Sequence, residues 1–288
     1  MAKKHSGWFW GCGLGCLAMT LIAVGLGVLG VRFAQQTTRG FDAAVETRTS
    51  LEERFGASSE YVPPPDGVVP KARIEAFLAI RDATAPARQH VEVTFAEIPM
   101  NPEAARELEA QGFVEQMRSV LRITRSSMSL GARLGRIFEA RNQALLAQGM
   151  GLGEYTYIYA LAYYSWLGHA PTDGPENAGS ADDSGFGPQM SSAFMGRVRK
   201  DLLQMLRNQL QSLPSDGSTG EQRAILQAEI EAMESDRRRI PWQGNMPPAI
   251  AVTFEPYRAR LEASYSPVTN AFELGRNRRQ GRFSVQAE

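Results

Sequence analysis

Cysteine is nearly absent from this 288-residue chain: Cys12 and Cys16 are its two examples, one helical turn apart near the N-terminus. Beyond residue 16 there is no disulfide, no cysteine-ligated zinc or iron–sulfur cluster and no cysteine nucleophile. Histidine is almost as scarce, with His5, His90 and His169. A hydrolytic triad needs a base beside its nucleophile, and a metal site needs three or four converging ligands. His90 with Glu92 and His169 with Asp173 are two-residue sets and read as surface histidines. Gly-x-Ser-x-Gly, the phosphate-cradling P-loop, His-Glu-x-x-His and a Rossmann glycine fingerprint are also missing. No cofactor and no metal are expected. Lysine occurs four times against 27 arginines, yet the whole chain carries a formal net charge of zero. Without Lys3, Lys4 and Arg32, 28 basic residues face 31 acidic ones, so no nucleic-acid partner is expected.

Charge is missing in a second, more informative way. Between His5 and Arg32 lie twenty-six residues without a charged side chain, Ser6 to Val31. At 1.5 Å per residue, a helix of that length crosses a hydrocarbon core of roughly 30 Å with its backbone polar groups paired internally. The run exceeds the 7–15 apolar residues of a cleaved signal peptide, so an uncleaved signal-anchor over residues 6–33 is expected. Lys3, Lys4 and the α-amino group before it outweigh Arg32 and Arg39 after it only slightly, but a short basic N-terminus ahead of a long domain is the usual signal-anchor pattern, so residues 1–5 are expected in the cytosol and the rest outside a plasma (inner) membrane. The bilayer is thus the first expected partner. Gly7, Gly11 and Gly15 repeat every four residues, a pattern through which membrane helices contact one another and homodimerise; glycine is also simply common in such helices.

The remaining chain reads as mainly α, an irregular multi-helix extracytoplasmic domain. Residues 34–56 look like a polar juxtamembrane helical stalk with Phe41, Val45 and Leu51 as its apolar positions, ended by Gly56. Pro63-Pro64-Pro65-Asp66-Gly67 makes residues 57–69 a stiff extended spacer. Helical periodicity fills 70–275: Ile74, Phe77, Leu78 and Arg81 share a face, and Ala87, Val91, Phe95 and Ile98 continue it. The alternation Val91, Val93, Phe95 leaves a strand as the competing reading there. Asn101-Pro102-Glu103 starts the next helix, whose stripe runs from Phe113 to Leu145. Residues 168–188 are a polar, flexible insertion with Phe186 as their one large apolar residue. Val198, Leu202, Leu206 and Leu210 then pair with Leu226, Ile230 and Met233 as a helical hairpin, with a capping box at Ser218-x-x-Glu221. A basic tail, 276–288, closes the sequence.

Glu154 to Trp166 is the most aromatic stretch outside the anchor. Tyr155, Tyr159, Tyr163 and Trp166 share a helical face, which suits either a central core helix or a ligand-stacking surface, the core being the commoner use of such a stripe. Glu75, Glu97, Glu115, Glu139 and Glu154 leave glycan hydrolysis by paired carboxylates as an alternative, with Glu154 the first catalytic candidate because it follows the glycine run 149–153. The leading expectation is a membrane-anchored scaffold, adaptor or complex subunit that binds another membrane or envelope protein. An extracytoplasmic ligand-binding protein is the other alternative.

Overall fold

The computed structural model describes residues 43–97, 113–171, 173, 188–214 and 218–274. Among these the regular elements are helical and no strand occurs. In chain order they are α1 (43–55), α2 (Lys71–Glu97), α3 (Phe113–Ala147), α4 (Leu152–Tyr159), α5 (Pro188–Ser212), α6 (Gly220–Ser235), α7 (Pro248–Phe254), α8 (Arg258–Ser264) and α9 (Pro267–Glu273). The uncharged run and Gly7, Gly11 and Gly15 lie outside the described residues, as does the basic tail. No helix among the described residues is long and apolar enough to cross a membrane.

Apolar side chains at every angle around α4 put it at the centre. Leu152, Tyr155, Tyr157 to Tyr164 and Thr156 are all buried, and a helix apolar all round has nowhere else to go. From Ala160 to Trp166 this helix widens into a π-helix. The wider turn brings residues five apart onto one face. Tyr159 and Tyr164 accordingly donate to the same acceptor, Asn270 Oδ1, at 3.0 and 2.8 Å. The Ser165 hydroxyl occupies the altered turn, bonding to the Ala160 carbonyl at 3.1 Å and the Pro241 carbonyl at 2.5 Å.

Around α4 pack α2 and α3, an antiparallel pair, together with the hairpin of α5 and α6. Residues 91–95 are helical, so the four-residue spacing of Val91 and Phe95 prevails over their alternation with Val93. Helix α2 also runs through Pro86, which has no N–H to donate to the fourth carbonyl before it. Beside this gap Arg88 Nη2 donates to the Arg81 carbonyl at 2.8 Å, a bond that ties the turns on either side of the proline. In the hairpin, Thr219 rather than Ser218 is the N-cap of α6, with its hydroxyl on the Pro214 carbonyl at 2.9 Å.

Residues 43–69, read above as stalk and spacer, are part of the packed body. Ala44, Leu51, Pro63 and Val69 are buried, and Leu51 and Val69 belong to the central core. The extended proline segment lies along α5, where Gln209 Nε2 donates to the Pro64 and Pro65 carbonyls at 2.7 and 3.2 Å. Asn208 Nδ2 reaches the Ser59 carbonyl at 2.9 Å. The extended backbone exposes carbonyls that helix amides cannot satisfy, and two adjacent amide side chains on α5 satisfy them. Gly56 ends α1 at φ +78°, as a helix-terminating glycine should.

Candidate functional site

The tyrosine face of α4 points at α8 and α9. Tyr155, Tyr159 and Tyr163 are fully buried, while Trp166 is half-buried with the Arg258 guanidinium 4.3 Å above its ring. Tyr155 Oη donates to Glu273 Oε2 at 3.3 Å and accepts from Arg81 Nη1 at 3.2 Å. The Tyr163 hydroxyl pairs with Ser264 Oγ at 2.7 Å. Burial raises the pKa of Tyr155, Tyr159 and Tyr164, so these phenols stay protonated and serve as hydrogen-bond donors inside the body.

Beneath the tyrosines sits a buried ionic cluster. Arg81 Nη1 lies 2.7 Å from Glu273 Oε1, and Arg88 Nε lies 3.6 Å from the same oxygen; Arg81 and Glu273 have no exposed side-chain surface. Arg81 and Arg88 both donate to the Ser264 carbonyl at the end of α8, and Arg141 donates to the Glu273 carbonyl at the end of α9. Burial alone would push the Glu273 carboxyl up, but the charges of Arg81 and Arg88 outweigh it and hold the pKa below the usual carboxylate value. Arg81 also stands 5.4 and 5.5 Å from the centres of the Tyr159 and Tyr163 rings. The cluster fastens the two C-terminal helices onto α2 and α3.

Glu154 occupies the first turn of α4, where a carboxylate complements the positive end of the helix dipole. Both its oxygens accept from Arg73 of α2, Nε to Oε1 at 2.5 Å and Nη2 to Oε2 at 2.6 Å; Arg73 Nη2 also donates to the Gly149 carbonyl. This two-pronged clamp gives the carboxylate a structural partner. Glu154→Gln is expected to lose about 1–2 kcal/mol of stability, the scale of a charge-assisted bond, in a urea melt. Glu75 pairs with Arg260 at 2.7 Å, and Glu139 accepts from Gln143 at 3.2 Å. The side chains of Glu97 and Glu115 lie outside the described residues.

His90 and Glu92 are directed to different partners, whereas His169 and Asp173 both meet Tyr265. His90 Nδ1 is 2.7 Å from the Pro86 carbonyl, while Glu92 accepts from the Ser266 hydroxyl. His169 stacks on Tyr265 at 3.7 Å between centroids, and Asp173 Oδ2 accepts from Tyr265 Oη at 2.9 Å. Burial lowers the pKa of His169. No group of three or more His, Cys, Asp or Glu side chains is placed to hold a metal among the described residues.

A groove of about 380 Å³ lies between α2 and α3, lined by Ala87, His90, Arg133, Arg136, Glu139, Ala140 and Gln143. Sequence reading passed over it, because its residues are the polar complement of the apolar stripes. The available signal was Arg133 and Arg136 three positions apart, followed by the small Ala140, on a helix whose other face is apolar. No protein-family model matches the chain, and no curated protein or solved structure matches it.

Proposed function

We propose that this protein is a membrane-anchored helical scaffold or complex subunit that holds a partner-binding body close to the bilayer. The observation that supports this reading is the way the chain enters its domain: α1 and the proline segment are part of the packed body, with Ala44 and Leu51 buried from the first described turns. Nine residues, 34–42, separate this body from the anchor segment 6–33, and nine residues fully extended reach about 30 Å at most. A body coupled so closely to a tether samples a thin layer of space beside the membrane. Position is then its main property, and a partner at the same surface meets it at high effective concentration. Affinity purification of the full chain from its own membranes in mild detergent is expected to recover a second envelope protein in fixed proportion. Recovery of the chain alone, together with glycan degradation that Glu154→Gln abolishes, would replace this reading with the hydrolase alternative.

A further inference from the structure

We propose that the groove between α2 and α3 receives an acidic peptide segment of the partner protein, anchored on Arg136 with Arg133 beside it; this inference rests on the partner-binding reading. Arg133 is held in place from the opposite wall: its Nη1 donates to the His90 carbonyl at 2.8 Å and to Thr94 Oγ1 at 2.5 Å. The bridge fixes one guanidinium before any ligand arrives, which reduces the ordering cost of binding. Arg136, three residues on, is exposed and makes no hydrogen bond or ion pair with the described residues. Side chains three apart on a helix have Cβ atoms about 5–6 Å apart, a spacing that suits two carboxylates one helical turn apart on a facing peptide. Each guanidinium can also grip one carboxylate with two parallel bonds.

The rest of the lining narrows the ligand class. Among the described residues Glu139 is the single acid in the lining and Gln143 the single amide, and they are joined to each other at 3.2 Å. Two guanidiniums against one carboxylate leave the groove net positive. A carboxylate and an amide carbonyl beside them accept the N–H groups left unpaired in the first turn of a helical peptide. A phosphate has no such donors when fully ionised. Ala87 and Ala140 keep the walls low, so the groove is open to solvent and admits a segment lying along it. Donors for carboxylates and acceptors for backbone amides, side by side in an open channel, fit an acidic peptide better than a lipid headgroup.

The test uses the full chain in detergent micelles and a fluorescently labelled alanine-rich helical peptide with glutamates one turn apart, beside its glutamine-substituted twin. The glutamate peptide is expected to bind at least about ten-fold tighter than the twin, and Arg136→Glu to erase that difference. Arg136→Gln, a milder change on the exposed face, gives the same direction if the charge reversal disturbs folding. Glu139→Gln is expected to leave glutamate-peptide binding intact or tighten it. Equal binding of the two peptides, or an affinity unaffected by both Arg136 variants, would overturn the proposal. So would displacement of the peptide by equimolar inorganic phosphate or by anionic phospholipid vesicles, each of which identifies a different anion as the ligand. Parallel purifications from native membranes separate the two levels of inference. A partner retained equally by wild type and Arg136→Glu removes the groove from the interaction but leaves the scaffold reading standing. No partner on either removes the scaffold reading, whatever the peptides do.

Discussion

Replacing Glu273 by glutamine is expected to cost on the order of 3–5 kcal/mol, a large share of the roughly 5–15 kcal/mol that holds a typical domain folded, because it strips the counter-charge from buried guanidiniums while barely changing shape. Glu273 and Arg81 have no exposed side-chain surface, and Arg88 is nearly as enclosed. A buried ion pair is weak evidence of net stabilisation, since desolvating both charges offsets much of their attraction. Removing one partner is a different matter: the remaining charge stays in a low-dielectric site with nothing opposite it. Chemical denaturation of the full chain in micelles measures the loss, and one below about 1 kcal/mol would mean that the cluster is solvated after all. The triple change Arg81→Met, Arg88→Met and Glu273→Leu is expected to recover most of the stability, because it removes the stranded charges along with the carboxylate. Acid should act in the same direction as glutamine. The Glu273 pKa is lower folded than unfolded, so its contribution is fully present above the ordinary carboxylate value of about 4.3 and disappears as pH falls through the lower folded value. A stability profile flat through that acid range for this residue, judged against Glu273→Gln, would contradict the assignment.

Alanine at position 153 is expected to be the most damaging single-methyl addition, at about 3 kcal/mol. A Cβ built on Gly153 would stand 2.5 Å from the Ser58 carbonyl oxygen and 2.6 Å from Tyr61 Cβ. The oxygen belongs to backbone and cannot swing aside, so residues 56–61 would have to lift away from the start of α4. That movement would disturb the Tyr61 contact with Tyr157, whose ring centroids are 5.9 Å apart, and the Asn208 bond to the Ser59 carbonyl. Gly196 supplies the control. It lies inside α5 with nothing within 4 Å of an added Cβ. Gly196→Ala is therefore expected to stabilise by about 0.5–1 kcal/mol, since alanine has less backbone freedom to lose in a helix. Thermal melts of the two variants should move in opposite directions; shifts of the same sign would refute the packing account of Gly153.

The helices that were legible in the sequence are those whose cause is local. The stripe Val198, Leu202, Leu206 on α5 and the stripe Ile74, Phe77, Leu78 on α2 bury the residues that periodicity selects. Arg81 falls on that second face too, and there periodicity gave the position while concealing the chemistry: its counter-charge, Glu273, lies far along the sequence. The proline segment shows the same limit. Pro63-Pro64-Pro65 dictates extended backbone, but its contact with Asn208 and Gln209 depends on a helix about 145 residues away in sequence. The glycine run 149–153 leaves the sequence ambiguous, because glycine permits both motion and close approach. The Cβ geometry at Gly151 and Gly153 makes it a place of close approach, with Phe55 and Ser58 respectively against the missing side chains. Tyr159 and Tyr164 sit five apart, outside the 3.6-residue template, and meet at Asn270 because α4 widens into a π turn. The groove stayed hidden for the opposite reason: solvent-facing polar residues carry no periodic signal of their own beyond completing the apolar one.

The ionic cluster sets a schedule for biosynthesis. Arg81 leaves the ribosome 183 residues before the Ser264 carbonyl that it will bind, and still earlier than Glu273. At about 5–20 residues per second that interval is roughly 10–40 s. During it α2 has been made and α3 follows, and burying the two guanidiniums of α2 without Glu273 would strand them. The arginines thus act as a brake on premature closure of the core around α4. A chain that stops before residue 273 lacks both the counter-charge for Arg81 and the carboxylate that accepts from Tyr155.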